Sequence, residues 1–256
     1  MKIATYNIWN SDVDYLKRVE LLIGVLIEQN IDVLVLQEVR DENLVKTITK
    51  GLGHNNYIWK KYPDCEEGLA IISKYGLEHL WTNYEEDEEF HNTGTIISKI
   101  KVDGLSIGIT NVHLDYKESI NREIELVKAV KVIESFDNDY DIILGDFNSY
   151  PSSSIHMYLS GQMTLFSHST SWIDLYQSFK VRNEDINGVT LDFKNNPRWE
   201  NEVCLDIPGR FDWIFLKQPY PKVSPKLIEF KLLGNKRIDN ITPSDHYGVL
   251  SELKFK

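Results

Sequence analysis

Asp32-Val33-Leu34-Val35-Leu36 and Ile142-Ile143-Leu144 are short, nearly continuous apolar runs, the pattern of strands covered on both faces. Ahead of the first, Lys2-Ile3-Ala4-Thr5-Tyr6-Asn7-Ile8 alternates like a half-buried strand. Asp12 or Asp14 then caps a helix whose apolar positions Tyr15, Val19, Leu22, Ile23 and Leu26 fall at helical spacing. The opening unit is thus strand, helix, strand. Strand-like runs follow at 69–73, 93–102 and 105–113, with Asp103-Gly104 between the last two as a two-residue hairpin signal. A second helix carries Ile120, Ile124, Val127, Val130 and Ile133 on one stripe. The region 150–203 is poorer in pattern and reads as loops with one short helix, and runs at 211–216, 226–232 and 249–255 complete the strands. Helix-separated and hairpin-linked strands together predict an α/β fold in which mixed sheets pack together with helices outside. No repeat, low-complexity tract or linker divides the chain, so residues 1–256 read as a single domain.

Composition narrows the partners. With 28 Lys+Arg against 39 Asp+Glu the net charge is −11, and the largest charge run, Glu85-Glu86-Asp87-Glu88-Glu89, is acidic and reads as a solvated loop. Proteins that grip nucleic acid usually cluster Lys and Arg to neutralise phosphates, so this balance disfavours a nucleic-acid partner. Two cysteines, Cys65 and Cys204, exclude a disulfide framework and a four-cysteine zinc site. No start of the signal-peptide kind and no membrane-length apolar run is present, so a cytoplasmic monomer is expected.

The informative feature is where polar residues fall. Apolar runs end repeatedly in acidic, amide or imidazole side chains: Asn7, Gln37-Glu38, Asn111 and His113, Asp146 and Asn148, and Asp212, while Asp245-His246 precedes the last strand. If these ends share one rim, carboxylates and histidines converge there, and their repulsion is costly unless a cation binds. Oxygen donors without cysteine suit Mg²⁺ or Mn²⁺, and a hard ion with carboxylates and histidine suits hydrolysis of a phosphate ester.

Seven motifs then occur in order: Thr5-Tyr6-Asn7-Ile8-Trp9, Leu36-Gln37-Glu38-Val39, Glu67-Gly68-Leu69-Ala70-Ile71, Asn111-Val112-His113-Leu114, Gly145-Asp146-Phe147-Asn148, Arg210-Phe211-Asp212-Trp213-Ile214 and Ser244-Asp245-His246. Each alone is weak, but the series resembles the endonuclease/exonuclease/phosphatase superfamily over positions 5 to 246. The resemblance implies a four-layer αββα sandwich, two mixed β-sheets face to face with outer helices.

It also implies roles. Glu38 is the main carboxylate ligand of the divalent metal, Asn7 lies beside the metal, and Asp245 is a direct or water-mediated ligand. Asp212 fixes the tautomer of His246. His246 takes the proton of the attacking water or stabilises phosphoryl charge, with Asp146 as the rival base. Asn148 orients the nucleophile or a phosphoryl oxygen, and His113 donates to a non-bridging oxygen. Glu67 either supports the site or is a solvated loop residue. His54, His79, His91, His156 and His168 lie outside the motifs and read as surface or core, and Cys65 as an unactivated thiol.

Histidine rather than tyrosine at position 113 resembles the branches of deoxyribonuclease I, sphingomyelinases, inositol polyphosphate 5-phosphatases and deadenylases, not that of abasic-site nucleases. Trp172, Trp199 and Tyr220 are candidates for a membrane-facing aromatic hairpin but are scattered. The function expected is hydrolysis of a small-molecule or headgroup phosphodiester by in-line attack of activated water. A nuclease is the alternative, and a catalytically silent binding module of the same fold a further one. Specificity is expected in the loops 84–92 and 150–201.

Overall fold

A computed structural model describes residues 1–63, 65–83, 93–183, 186–200 and 205–256. The acidic run at 85–89, the whole loop 84–92, His91 and Cys204 lie outside the described residues. In chain order the first half is β1 (Lys2–Asn7), α1 (Tyr15–Gln29), β2 (Val33–Val39), α2 (Glu42–Gly51), β3 (Asn56–Lys61), β4 (Gly68–Ser73) and β5 (Leu77–Thr82). Then come β6 (Gly94–Val102), β7 (Leu105–His113), α3 (Ser119–Ile133), β8 (Tyr140–Asp146) and α4 (Ser154–Leu159). The last stretch holds β9 (Trp172–Asp174), α5 (Leu175–Lys180), a 3-10 turn (Pro197–Trp199), β10 (Asp212–Lys217), β11 (Lys226–Leu233) and β12 (Gly248–Lys254).

The strands form two six-stranded sheets, β11-β12-β1-β2-β4-β3 and β5-β6-β7-β8-β10-β9. Each is mixed for a simple reason. β1 with β2 and β7 with β8, each pair joined through one 15-residue helix, run parallel, and the remaining neighbours, β9 and β10 with α5 between them included, pair antiparallel. Asp103 and Gly104 both take positive φ (51° and 84°) in the tight turn that joins β6 to β7, as the hairpin signal requires.

Strand alternation sends each sheet's apolar residues to two different layers. Ile3, Val33, Val35, Ile71, Ile107, Ile109, Ile142, Leu144 and Ile214 meet between the sheets. Ala4, Leu34, Leu36 and Ile72 cover the other face of the first sheet against Leu22 and Leu26 of α1 and Val45 and Ile48 of α2. Ile97, Ile143 and Phe215 do the same in the second sheet against α3 and α4. Four layers result, the αββα sandwich that the family resemblance implies. No described helix is long and apolar enough to cross a membrane.

Several local expectations need correction. Asp14 does occupy the N-cap of α1, but at φ 50° and with no side-chain capping bond, while Asp12 pairs with Arg40. On α3 Val127, Val130 and Ile133 are buried as expected, joined by Glu125, Leu126 and Ala129, whereas Ile120 and Ile124 are exposed. A buried i, i+3, i+4, i+7 set starts at Leu126, and the first two positions of the expected stripe fall outside it. The region 150–203 holds two short helices and a strand rather than one helix. Trp172 is core, Trp199 packs edge-on against Phe193, and Tyr220 is exposed.

Candidate active site

The positions facing the inter-sheet layer change character along each strand. On β1 they run Ile3, Thr5, Asn7; on β7 Ile107, Ile109, Asn111, His113; and on β8 Ile142, Leu144, Asp146. β10 runs the other way, from Asp212 to Ile214 and Leu216. Between the hydrocarbon and the charged rim lies a neutral polar layer. Gln37 Nε2 donates to Asn111 Oδ1 at 2.7 Å and to Thr5 Oγ1 at 3.1 Å, and Asn111 Nδ2 donates to the carbonyls of Leu36 and Ala70. Every one of these buried amides finds partners, which is what makes the transition tolerable.

Strand register lines up the rim. His113 is the cross-strand partner of Asp146, and Asp146 that of Asp212. Gly145 makes the approach possible: at φ 148°, a Cβ there would sit 1.9 Å from the Val112 carbonyl oxygen. On the facing sheet a bulge between Leu36 and Val39 holds Glu38 at φ 55°, a left-handed conformation that costs a non-glycine residue on the order of 1–3 kcal/mol.

Asn7 Nδ2 links the two sheets, donating to Glu38 Oε1 at 2.9 Å and to Asp146 Oδ2 at 3.0 Å. The backbone N–H of Asn10 donates to Glu38 Oε2 at 3.1 Å. His113 Nε2 stands 4.0 Å from Glu38 Oε1 and 3.9 Å from Asp146 Oδ2, and its Nδ1 lies 3.0 Å from the buried hydroxyl of Tyr62. Across the rim, His246 Nδ1 donates to Asp212 Oδ2 at 3.0 Å, leaving Nε2 3.9 Å from Asp146 Oδ2. Burial alone lowers the His246 pKa, but the Asp212 and Asp146 carboxylates outweigh it and favour the charged ring.

The other predicted residues border this cluster. Asn148 follows β8; its backbone N–H donates to Asp146 Oδ1 and its Nδ2 to the Leu114 carbonyl, so that amide is already engaged. Asp245 accepts from Ser244 Oγ at 3.1 Å; burial is the main force pushing it up to about 6, with His246 opposing and Glu38 adding. Glu67, raised by burial and then by Glu38, hydrogen-bonds with Asn10. All nine predicted residues thus gather at one end of the inter-sheet layer, Glu67 and Asn148 at its margins. Cys65 is raised by burial and by Glu67, as an unactivated thiol is. The remaining described histidines are engaged elsewhere: His156 with Asp174 in a buried cluster with Arg210, His168 with Tyr158 and Glu134, His54 with the Ile31 carbonyl, and His79 with Thr82.

Three supporting residues had no signal in the sequence, and a fourth had one without a role. Tyr62 fixes His113. Asn196, buried in a stretch read as loop, donates from Nδ2 to the carbonyls of Ser244 and Asp245, both at 3.0 Å. Thr190 Oγ1 accepts the backbone N–H groups of Phe211 and Asp212, while its carbonyl accepts that of Tyr247. Ser244, though inside a motif, also donates to the Asn7 carbonyl at 2.8 Å and so ties the last loop to β1.

The donor chemistry fits a hard cation. Glu38, Glu67 and Asp245 all offer oxygen; burial first, and then the charge of Glu38, pushes both Glu67 and Asp245 upward. Asp146, Asp212 and His246 also bring ligand atoms within 4.8 Å of one another; His246 Nδ1 and Asp212 Oδ2 share a hydrogen bond, but Asp212 Oδ1 is buried without a partner, so this group could hold an ion too.

A sequence profile described as the Endonuclease/Exonuclease/phosphatase family matches residues 4–246. The chain belongs to that family. Solved structures of family likeness share its fold at low identity. TDP2 from D. rerio, complexed with single strand DNA product, superposes with a TM-score of 0.76 at 18% identity, covering 100% of this chain and 99% of that one. TDP2 from Caenorhabditis elegans gives 0.76 at 19%, over 100% and 74%. A functionally unknown conserved protein from Enterococcus faecalis V583 gives 0.72 at 18%, over the full length of both. No curated protein sequence matches the chain significantly.

Proposed function

We propose that the chain is a phosphodiesterase dependent on Mg²⁺ or Mn²⁺, with Glu38 as the principal ligand and Asn7 and Asp245 beside it. A bound ion neutralises phosphoryl oxygens and activates water at neutral pH. The observation that carries the reading is the gathering of Asn7, Glu38, His113, Asp146 and the Asp212–His246 pair in one cluster, linked by polar contacts of 2.9–4.0 Å. Asp212 holds Nδ1 of His246, so that Nε2 faces Asp146 across 3.9 Å. Between them these two groups take the proton of the attacking water and hold charge on the phosphoryl group. His113, its Nδ1 against Tyr62, donates from Nε2 to a non-bridging oxygen.

The substrate class we assign is a small-molecule or headgroup phosphodiester, supported by the net charge of −11. A nuclease is the second reading, favoured by the likeness to a TDP2 that was solved with single strand DNA product. The test is release of p-nitrophenol from bis(p-nitrophenyl) phosphate, abolished by chelation and restored by Mg²⁺ or Mn²⁺. No turnover with either ion would sink the proposal. Oligonucleotide cleavage that falls steeply with salt would select the nuclease. The proposal takes the chain as a cytoplasmic monomer, which cell fractionation and sedimentation velocity test.

A further inference from the structure

Beside the rim lies a cleft of about 500 Å³, within the range of sites that hold small organic groups. Its floor joins the reacting groups directly. Asn148 lines it two residues after Asp146, and Phe211 lines it next to Asp212. Leu191 lines it as the bridge partner of His246. Its walls are aromatic: Tyr116, Tyr150 and Phe193 join Phe211 around the opening.

Two of these rings are fixed in advance. Tyr150 packs against Phe211 with ring centroids 4.7 Å apart, and its hydroxyl donates to the Ile207 carbonyl at 2.7 Å. Gly209 lies under that ring so closely that a Cβ there would come within 2.5 Å of it. Phe193 is braced edge-on by Trp199. Rings held this way lose little freedom when a ligand arrives. Tyr116 is 65% exposed at the opening, with Lys117 Nζ 5.2 Å from its ring centroid.

Charge identifies the occupant further. Among the described lining residues the charged groups are Arg122, tied to the Asp115 carbonyl at 2.7 Å, and Asp206. One cation and one carboxylate do not make a phosphate pocket. Aromatic walls of near-neutral balance suit the face of a planar ring.

We propose that this cleft binds a planar aromatic substituent carried by the phosphate ester, a nucleobase or an aryl alcohol, and so sets substrate preference. The inference rests on the phosphodiesterase reading for where the phosphate sits. Calorimetric titration in Mg²⁺ tests it with three ligands whose C–P bond resists hydrolysis: methylphosphonate, phenylphosphonate and the phosphonate isostere of thymidine 5′-monophosphate. The expected result is binding of the two aromatic ligands about ten-fold or more tighter than methylphosphonate. Phe193→Ala and the exposed Tyr116→Ala should each erase most of that ratio while leaving methylphosphonate affinity and turnover of a dialkyl ester unchanged. A gain confined to the thymidine ligand identifies a nucleobase, and an equal gain with phenylphosphonate a simple aryl group. A ratio near one in the native protein, or a ratio that survives both substitutions, overturns the inference. If bis(p-nitrophenyl) phosphate is not hydrolysed, the phosphodiesterase reading fails by itself. The cleft is then judged by whether the affinity for phenylphosphonate falls in both variants.

Discussion

Along β8, Ile142 and Leu144 fill the space between the sheets with hydrocarbon, and two residues further on Asp146 puts a carboxylate into the same layer. Both ends are buried, yet they are held by opposite means. The apolar end is stabilised by removal of surface from water, about 25 cal/mol for each Å². At the rim, carboxylates crowd one another, Glu38 is held at positive φ, and Asp245 and Glu67 are pushed above their ordinary range. The neutral layer of Thr5, Gln37 and Asn111 separates the two and lets one strand serve both. Stability thus resides at one end and the proposed chemistry at the other, so substitutions at the two ends are expected to have opposite signatures.

The largest effect is expected at the rim. Glu38→Gln and Asp146→Asn each lower turnover roughly 10²–10⁴-fold, the scale of a lost catalytic group. In chelator, Glu38→Gln nevertheless unfolds at the same temperature as the native protein or a higher one, because Asp245 and Glu67 lose a repulsive neighbour. With Mg²⁺ added, the melting temperature rises in the native protein and not in the variant. A Glu38→Gln protein that melts well below the native one in chelator would erase the contrast between the two ends.

Leu144→Ala reverses the signature. Cutting a fully buried side chain out of the inter-sheet layer costs about 2–5 kcal/mol in denaturant unfolding. Turnover per folded molecule stays at the native value, since Leu144 touches no rim group through a hydrogen bond.

A carboxylate buried away from the rim sharpens the comparison. Glu125 on α3 accepts from Thr93 Oγ1 at 2.5 Å and from the Asp115 N–H at 2.9 Å, with the carboxyl of Asp115 and the imidazole of His113 as its charged neighbours. Burial outweighs those bonds and pushes it up to about 7 from 4.5. Its folded pKa lies above the unfolded one, so its contribution is complete below pH 4.5 and is lost as pH rises through 7. The loss is about 3 kcal/mol. Chemical unfolding at pH 5 and pH 8 is expected to show this fall in the native protein and to show it removed in Glu125→Gln.

Much of this was legible in the sequence, and the limits are physical. Continuous apolar runs marked β2 and β8, Asp103-Gly104 marked a hairpin, and polar residues at strand ends marked a rim. β3 and β5 escaped because their burial is partial and breaks the alternation, and α2 because its ten residues give few repeats of its stripe. Glu125 was missed because a glutamate among helix residues looks solvated until Thr93 and the Asp115 backbone are known to face it. Tyr62, Thr190 and Asn196 are common residue types in turns and loops, and only tertiary contacts give them a role.

Thr190 offers the smallest and most local test. Its hydroxyl oxygen accepts two backbone N–H groups at the start of β10, at 2.9 and 3.1 Å, and its carbonyl accepts the N–H after His246 at 2.7 Å. One residue therefore bears on the spacing of both members of the Asp212–His246 pair, and its hydroxyl also hydrogen-bonds the Asp212 carboxyl. Thr190→Val keeps the shape but orphans two buried donors, which costs about 1–3 kcal/mol of stability. The shift it allows at Asp212 lowers kcat about ten-fold, with KM little changed, because the pair acts on the reacting groups and not on the rest of the substrate. Thr190→Ser restores the acceptor and with it most of kcat. If Thr190→Val loses stability but keeps native kcat, the spacing of the pair is set elsewhere and the residue belongs with the apolar end of the layer.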